Sequence, residues 1–311
     1  MATERNWAEY NAALERRGSL TLFVDEDVIR DWLCVERPGR PGAPFTYSET
    51  AYKACYSLQL LHNMALRQTR GFMNSLLSLL GTTLTAPSIS SLCEQRQRLN
   101  IEPFVAPHGG DNGGLPTTLI LDATGFKAAG AGEWLNHKWH TGQGGKAAPR
   151  RWRKLHIGID YDTGQIVSYA VTDSSVGDVT AAPQLIKDAV ARAPIAEVIA
   201  DGAYDAKSLY ELIGDDMGAK ATIRLPWNAV RGLHPQRDEG FRVQNWLGAA
   251  EWRRRNAYGR RSLVETTMSR LKLLLPRLTA RSAAGQAAEL RTLIDVANRL
   301  IADDTAIRSS T

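Results

Sequence analysis

Tyr258-Gly-Arg-Arg261-Ser-Leu-Val-Glu265, followed seven residues on by Lys272, is the stretch on which the reading of this chain turns. Offsets of three, four and seven put Tyr258, Arg261, Glu265 and Lys272 on one face of an α-helix. A carboxylate flanked on its own face by a phenol and two cations is an uncommon group to point into a protein. It is a suitable one for gripping a divalent metal and a phosphodiester together. The competing reading is a solvated helix face on which Arg261 and Lys272 balance Glu265.

Working outward, Thr117–Leu121 reads as a short β run ending in Asp122. Leu155–Ile159 and Gln165–Val171 are two more, joined by a turn at Asp160–Gly164. Asp178–Arg192 reads as a helix and Glu197–Ala200 as a fourth strand ending in Asp201. A helix from Asp205 to about Ile213 leads to a fifth strand, Ala219–Ile223. The order β-β-β-α-β-α-β, then α, predicts an α/β domain: a mixed β-sheet with one antiparallel edge and helices on its faces. Residues 224–257, polar and carrying Pro226, Pro235, Trp227, Trp246 and Trp252, read as an irregular insertion.

The first hundred residues differ in character. Ser48 can cap a helix through Tyr52, Cys55, Leu58 and Leu61, and Phe72–Leu80 forms a second apolar run stopped by Gly81. Pro87-Ser88 opens a third, polar helix carrying Arg96 and Arg98. These helices suit either a helix-turn-helix or an ordinary bundle. The expected organisation is a helical region at 1–102, a glycine-rich linker at 103–116 and a domain at 117–311 with the insertion at 224–257.

Composition is permissive. The 311 residues are 43% hydrophobic and 23% charged, with a net charge of +5. That suits a soluble globular protein with a polyanionic partner. Arg150–Lys154 and Arg253–Arg255 are dense basic runs. Cys34, Cys55 and Cys93 are scattered, which suits a reducing cytoplasm. The N-terminal residues lack the apolar core of a secretory signal, and no run of eighteen apolar residues suggests a membrane span.

Asp122 and Asp201 after strands, with Glu265 on a later helix, give three hard-oxygen ligands of the kind two-metal phosphoryl transfer requires. Each alone is weak, because aspartate after a strand is commonly a turn former. The chain resembles the DDE transposases of bacterial insertion sequences, specifically the fifth insertion-sequence family and its relatives. Their third motif, Tyr-x2-Arg-x3-Glu-x6-Lys, is filled without a gap by Tyr258, Arg261, Glu265 and Lys272. Leu121-Asp122-Ala-Thr-Gly125 matches the first motif and Asp201-Gly-Ala-Tyr204-Asp205 the second. Arg151-Trp-Arg-Lys154-Leu-His156, Trp7-x2-Tyr10, Arg17-Gly-Ser-Leu20 and Leu66-Arg-Gln-Thr69 match as well, so the resemblance covers nearly the whole chain.

The resemblance implies a ribonuclease-H-like catalytic domain behind a helical region that binds terminal inverted repeats. It implies that Asp122, Asp201 and Glu265 hold two Mg2+ ions, with Mn2+ able to substitute, and that the enzyme cuts DNA and joins its 3′ ends to a target. Tyr258, Arg261, Lys272, Arg151, Arg153 and Lys154 are the expected DNA contacts. The expected partners are double-stranded terminal repeats and target DNA, with a homodimer or larger assembly when ends are paired, in the cytoplasm at the nucleoid and away from membranes. A related nuclease without strand transfer, and a catalytically silent domesticated DNA-binding protein, are the alternatives.

Some positions depart from the family pattern. Gly259 stands where relatives often carry histidine, Trp227 precedes Asn228-Ala229 where they tend to place arginine, and the helix after Pro87 is less basic than usual. Outside the motifs, His137 and His140 suit softer metals than magnesium. His156 reads as an interior or DNA-facing residue, and Asp160, Asp162 and Asp173 as turn or edge residues. Asp178 reads as a helix cap. Trp227, Trp246 and Trp252 read as core residues or as platforms for an unpaired base.

Overall fold

The computed structural model describes residues 7–35, 46–99, 101–106, 116–128 and 152–309. Of these, the backbone alone is described at 9, 10, 13 and 304–309. The chain forms two compact units, residues 1–104 with 273–311, and residues 105–272.

The first unit begins with helices α1 (Trp7–Arg17), α2 (Glu26–Arg30), α3 (Glu49–Leu61), α4 (Leu66–Leu79) and α5 (Ile89–Arg98). Ser48 and Ser88 cap α3 and α5 by accepting the Ala51 and Ser91 N–H groups, which would otherwise lack a helical partner. Gly81 follows α4 at φ +71°, a conformation that ends the helix at little steric cost. The core contains Trp32, Cys55, Leu58, Met73, Leu77 and Leu92, all buried. Its phenols and indole are paired: Tyr56 donates to the Leu92 carbonyl at 2.7 Å and Trp32 Nε1 to that of Thr85 at 2.9 Å.

The second unit is built on five strands: β1 (Thr117–Lys127), β2 (Trp152–Asp160), β3 (Ile166–Asp173), then α6 (Asp178–Val190), β4 (Ile195–Ala200) and, past α7 (Lys207–Tyr210), β5 (Lys220–Ile223). Their spatial order is β3-β2-β1-β4-β5. The β3, β2 and β1 strands pair antiparallel, and β1, β4 and β5 parallel, as the element order predicts. The arrangement is consistent with the ribonuclease-H-like fold. Leu119, Leu121, Val198 and Ala200 pack with Leu185, Ile186 and Ala189 of α6 and with Leu209 and Ile213.

Two local expectations change. The polar stretch read as irregular contains α8 (Pro235–Arg255), bent where Gly248 takes φ +86°. Its apolar residues, Trp246 and Leu247 among them, are scattered among polar ones and form no consistent stripe, so the sequence carries no amphipathic helix pattern here. Tyr258 and Arg261 lie in a 3-10 turn, Tyr258–Arg261, ahead of α9 (Ser262–Leu274), so the four motif residues do not share one continuous α-helix.

The final helix, α10 (Ala283–Ser309), joins the first unit, although the sequence reading placed it in the catalytic domain. It packs on α1, α3 and α5. Its buried Leu290, Leu293, Ile294 and Val296 complete the helical core. Glu289 of α10 pairs with Arg96 of α5 at 3.2 Å, both largely buried, and Asp295 accepts the Phe104 N–H. The apolar periodicity of α10 showed that it has a buried face and left open what covers it. The helical unit is thus a bundle, with Arg96 turned inward and Arg98 outward beside Glu94.

Candidate active site

The position of Asp122 follows from an asymmetry in β1. Its parallel pairing with β4 reaches only Ile120, whereas its antiparallel pairing with β2 runs on to Lys127. Asp122 therefore sits inside the strand, not beyond its end as expected, at the point where the β4 side of β1 opens. Asp201 follows Ala200, the last residue of β4, and so lies beside the same opening.

Each aspartate commits one oxygen to its own backbone. Asp122 Oδ1 accepts the Ala123 N–H at 2.8 Å, and Asp201 Oδ1 accepts the Ala203 N–H at 2.9 Å. The other oxygen of each faces Arg261: Nη2 is 2.9 Å from Asp122 Oδ2 and 3.8 Å from Asp201 Oδ2. Arg261 Nη1 donates to Glu265 Oε1 at 2.8 Å. One guanidinium thus touches or borders all three carboxylates singled out in the sequence. Arg261 and Asp122 side chains are each 17% exposed, while Glu265 is 65% exposed. Burial pushes the Asp122 carboxyl above its ordinary value; the Ala123 N–H and Arg261 oppose this, and Asp201 adds to it.

The turn holding Arg261 is anchored to β4 on both sides. Tyr258 donates to the Ala200 carbonyl at 3.1 Å, which fixes the phenol as a structural tether. Burial raises its pKa. Arg260 binds Glu197 of β4 and donates to Thr118 Oγ1 at 3.2 Å. These bonds set the start of α9 against the end of β4 and so bring Glu265 to the aspartates. Lys272 is exposed in the last turn of α9. A cleft of about 630 Å3 opens here, walled by Asp201, Arg224, Trp227, Arg253, Tyr258, Arg261 and Glu265. Trp227, 96% exposed, stands at its rim, while Trp252 is in the core against Tyr258.

The other expected DNA contacts fare differently. Arg153 pairs with Asp173. Lys154 Nζ lies 2.9 Å from Asp178 Oδ1 and donates to the Val176 carbonyl. Arg151, His137 and His140, most of the linker and the Tyr10 side chain lie outside the described residues.

The cap position of α6 belongs to Gly177, not to Asp178 as the sequence predicts. The Asp178 side chain instead pairs with Lys154 and stands 3.2 Å from His156 Nδ1. Strand alternation was the available signal: Lys154 and His156 are two apart on β2 and therefore share the face that α6 covers. His156 is buried, its Nε2 is 3.0 Å from Thr172 Oγ1, and burial lowers its pKa. Tyr204, from the second motif, is buried with its hydroxyl unpaired, within electrostatic reach of Asp178, Asp122 and Asp201.

The donor set suits a hard divalent cation, since all three groups are carboxylates and the uncommitted oxygens of both aspartates face one nitrogen. As they stand, no three acidic, histidine or cysteine side chains among the described residues are close enough to enclose an ion. Contraction around a cation in place of Arg261 would be required.

A mixed sheet with one carboxylate on its central strand, a second after the neighbouring parallel strand and a third on a following helix defines a ribonuclease-H-like domain with an acidic centre. Comparison with protein families places it further. The family model described as Transposase DDE domain matches residues 113–298, and a second model of that description matches residues 15–131. The chain belongs to the DDE transposase family, a family of metal-dependent DNA-cleaving enzymes whose substrates are DNA. Among the described residues, no helix is long and apolar enough to cross a membrane.

Proposed function

We propose that this transposase belongs with the fifth insertion-sequence family, binds the terminal inverted repeats of its element, cuts at the ends and joins the 3′ ends to target DNA. The observation that carries this reading is the meeting of Asp122, Asp201 and Glu265, from three distant stretches of chain, around Arg261. Asp122 and Asp201 supply rigid ligands because their backbones are fixed by β1 and β4. Glu265, exposed on α9, supplies an adjustable one.

Two Mg2+ ions held by these groups would supply Lewis acidity at the attacking and leaving oxygens. The chain's own part is to hold the phosphodiester against them. Arg261 and Lys272 approach it from α9 and the turn before it, while Tyr258 holds that turn on Ala200. Arg224 and Arg253 line the same cleft and add positive charge. The helical unit is assigned to the terminal repeats, and pairing two ends calls for at least a dimer on DNA.

The test is Mg2+-dependent cleavage of DNA carrying the gene's own flanking sequence, with wild type and Glu265→Gln in parallel. Wild type should cut at a defined end and yield strand-transfer products; Glu265→Gln should bind the DNA and not cut. Cleavage by Glu265→Gln would sink the site assignment. Cutting without joining would point to a nuclease, and binding without cutting by both proteins to a silent DNA-binding protein.

A further inference from the structure

The arginine at the centre of the carboxylates has a role beyond contacting DNA, and this inference rests on the metal-site reading above. We propose that Arg261 is an exchangeable counter-ion: its guanidinium and a divalent cation compete for the same carboxylates, so that cation binding releases Arg261 to a DNA phosphate.

The competition follows from which oxygens remain. Asp122 and Asp201 each give Oδ1 to a backbone N–H of their own chain segment, and Oδ2 of both faces Arg261 Nη2. Mg2+ holds its oxygen ligands at about 2.0–2.1 Å. A guanidinium nitrogen at 2.9 Å from one of these oxygens and 3.8 Å from the other occupies the space such an ion needs. Both are cations, so they also repel one another across that space. The ion and Arg261 therefore compete for the space between the two Oδ2 atoms.

Release leaves the guanidinium well placed. Arg261 already lines the cleft that Arg224 and Arg253 also line. Its Nε is buried without a hydrogen-bond partner, so its bonds to the carboxylates leave one of its donors unused. A phosphate offers several acceptor oxygens in the fork geometry that a guanidinium fits. Cation binding and the grip on phosphate are then linked through one side chain, and linkage requires the effect to run both ways. Until the cation arrives, Arg261 on this account keeps three like charges together.

Mn2+ binding to the full chain, measured by calorimetry without DNA, tests this independently of activity. Arg261→Gln should bind Mn2+ about tenfold more tightly than wild type, the equivalent of one charge-assisted pair no longer to be broken. Ca2+ should raise the affinity of wild type for a duplex, and Arg261→Gln should lose most of that rise. Arg261→Lys, which keeps the charge on a smaller head, should fall between and serves if Arg261→Gln does not fold by circular dichroism. Unchanged or weaker Mn2+ binding in a folded variant overturns the proposal. The Asp122→Asn, Asp201→Asn double variant separates the two ideas. If it retains Mn2+ binding, the metal site and the exchange both fall; if it loses binding while Arg261→Gln equals wild type, only the exchange falls.

Discussion

Arg237→Met should destabilise the second unit by about 3–5 kcal/mol, the range for removing one partner of a buried ion pair. Arg237 of α8 donates from Nε and Nη2 to the two oxygens of Asp205, each at 2.7 Å, and from Nη1 to the Val230 carbonyl. The side chains are 3% and 5% exposed, so solvent screens little of the interaction. Methionine fills similar volume but leaves Asp205 charged and unpaired. With an m-value of about 2 kcal/mol/M, the urea midpoint should fall by roughly 1.5–2.5 M. The neutral partner Asp205→Asn should be costly alone and much less costly in the Arg237→Met background. A cycle of the four proteins, followed by far-ultraviolet circular dichroism, should give a coupling of at least 1 kcal/mol, of the order found for contacting residues. Additive costs would refute the reasoning, for they would mean that each side chain acts through packing alone. Because Asp205 lies four residues past Asp201 in the same motif, the single variants should also lose Mn2+ affinity at the proposed site.

Three further outcomes are expected. In Gly158→Ala the new methyl would clash with Ser168 Oγ and meet Leu119 and Leu121 at 3.1 and 3.3 Å. Overpacking of that kind should cost about 1–3 kcal/mol in thermal or urea unfolding, and a neutral result would show that the sheet yields there. Cys55 is buried with its thiol pushed up to about 12, whereas Cys93 is exposed. A thiol reagent at neutral pH should therefore label Cys93 in the native protein and Cys55 only after unfolding, as mass spectrometry of the peptides would show. Glu197 is desolvated, yet Thr222, Arg260 and Lys220 outweigh burial and hold its pKa below the ordinary 4.5. A depressed folded value means that its stabilisation is complete above about pH 4.5 and is lost as pH falls below that. Glu197→Gln should flatten the acid side of the stability curve, and an unaltered slope would contradict the assignment.

Much of the sheet was legible because its strands are short apolar runs bounded by turn residues, and their alternation with helices fixes the order. The three carboxylates were legible through spacing and family likeness, with Asp122 misplaced at a strand end because β1 continues through Thr124 and Phe126 on antiparallel pairing alone. Such pairing with one neighbour leaves no mark in composition. Asp178 was hidden for a different reason: a carboxylate in the first turn of a helix has a sufficient local explanation, and its partners Lys154 and His156 lie over twenty residues away. The destination of α10 was equally out of reach, since an amphipathic helix shows that it has a buried face and does not name the surface that covers it.

The Ala200 carbonyl has one more consequence. It accepts both the Arg224 N–H, where the chain leaves β5, and the Tyr258 hydroxyl, where the chain comes back. Everything between is an excursion whose two ends are pinned to a single atom. Loop closure costs rise only slowly with length, so its exposed stretches can be lengthened, shortened or exchanged with little penalty to the sheet, while Gln236 and Arg237 tie α8 to Ala221 and Asp205. Glu265 would stay in place throughout, because its distance from the aspartates is set downstream of the second pin. The exposed positions of the excursion, Trp227 and Trp246 among them, are in this sense a replaceable surface, one through which related chains could acquire new contacts and leave the acidic centre untouched.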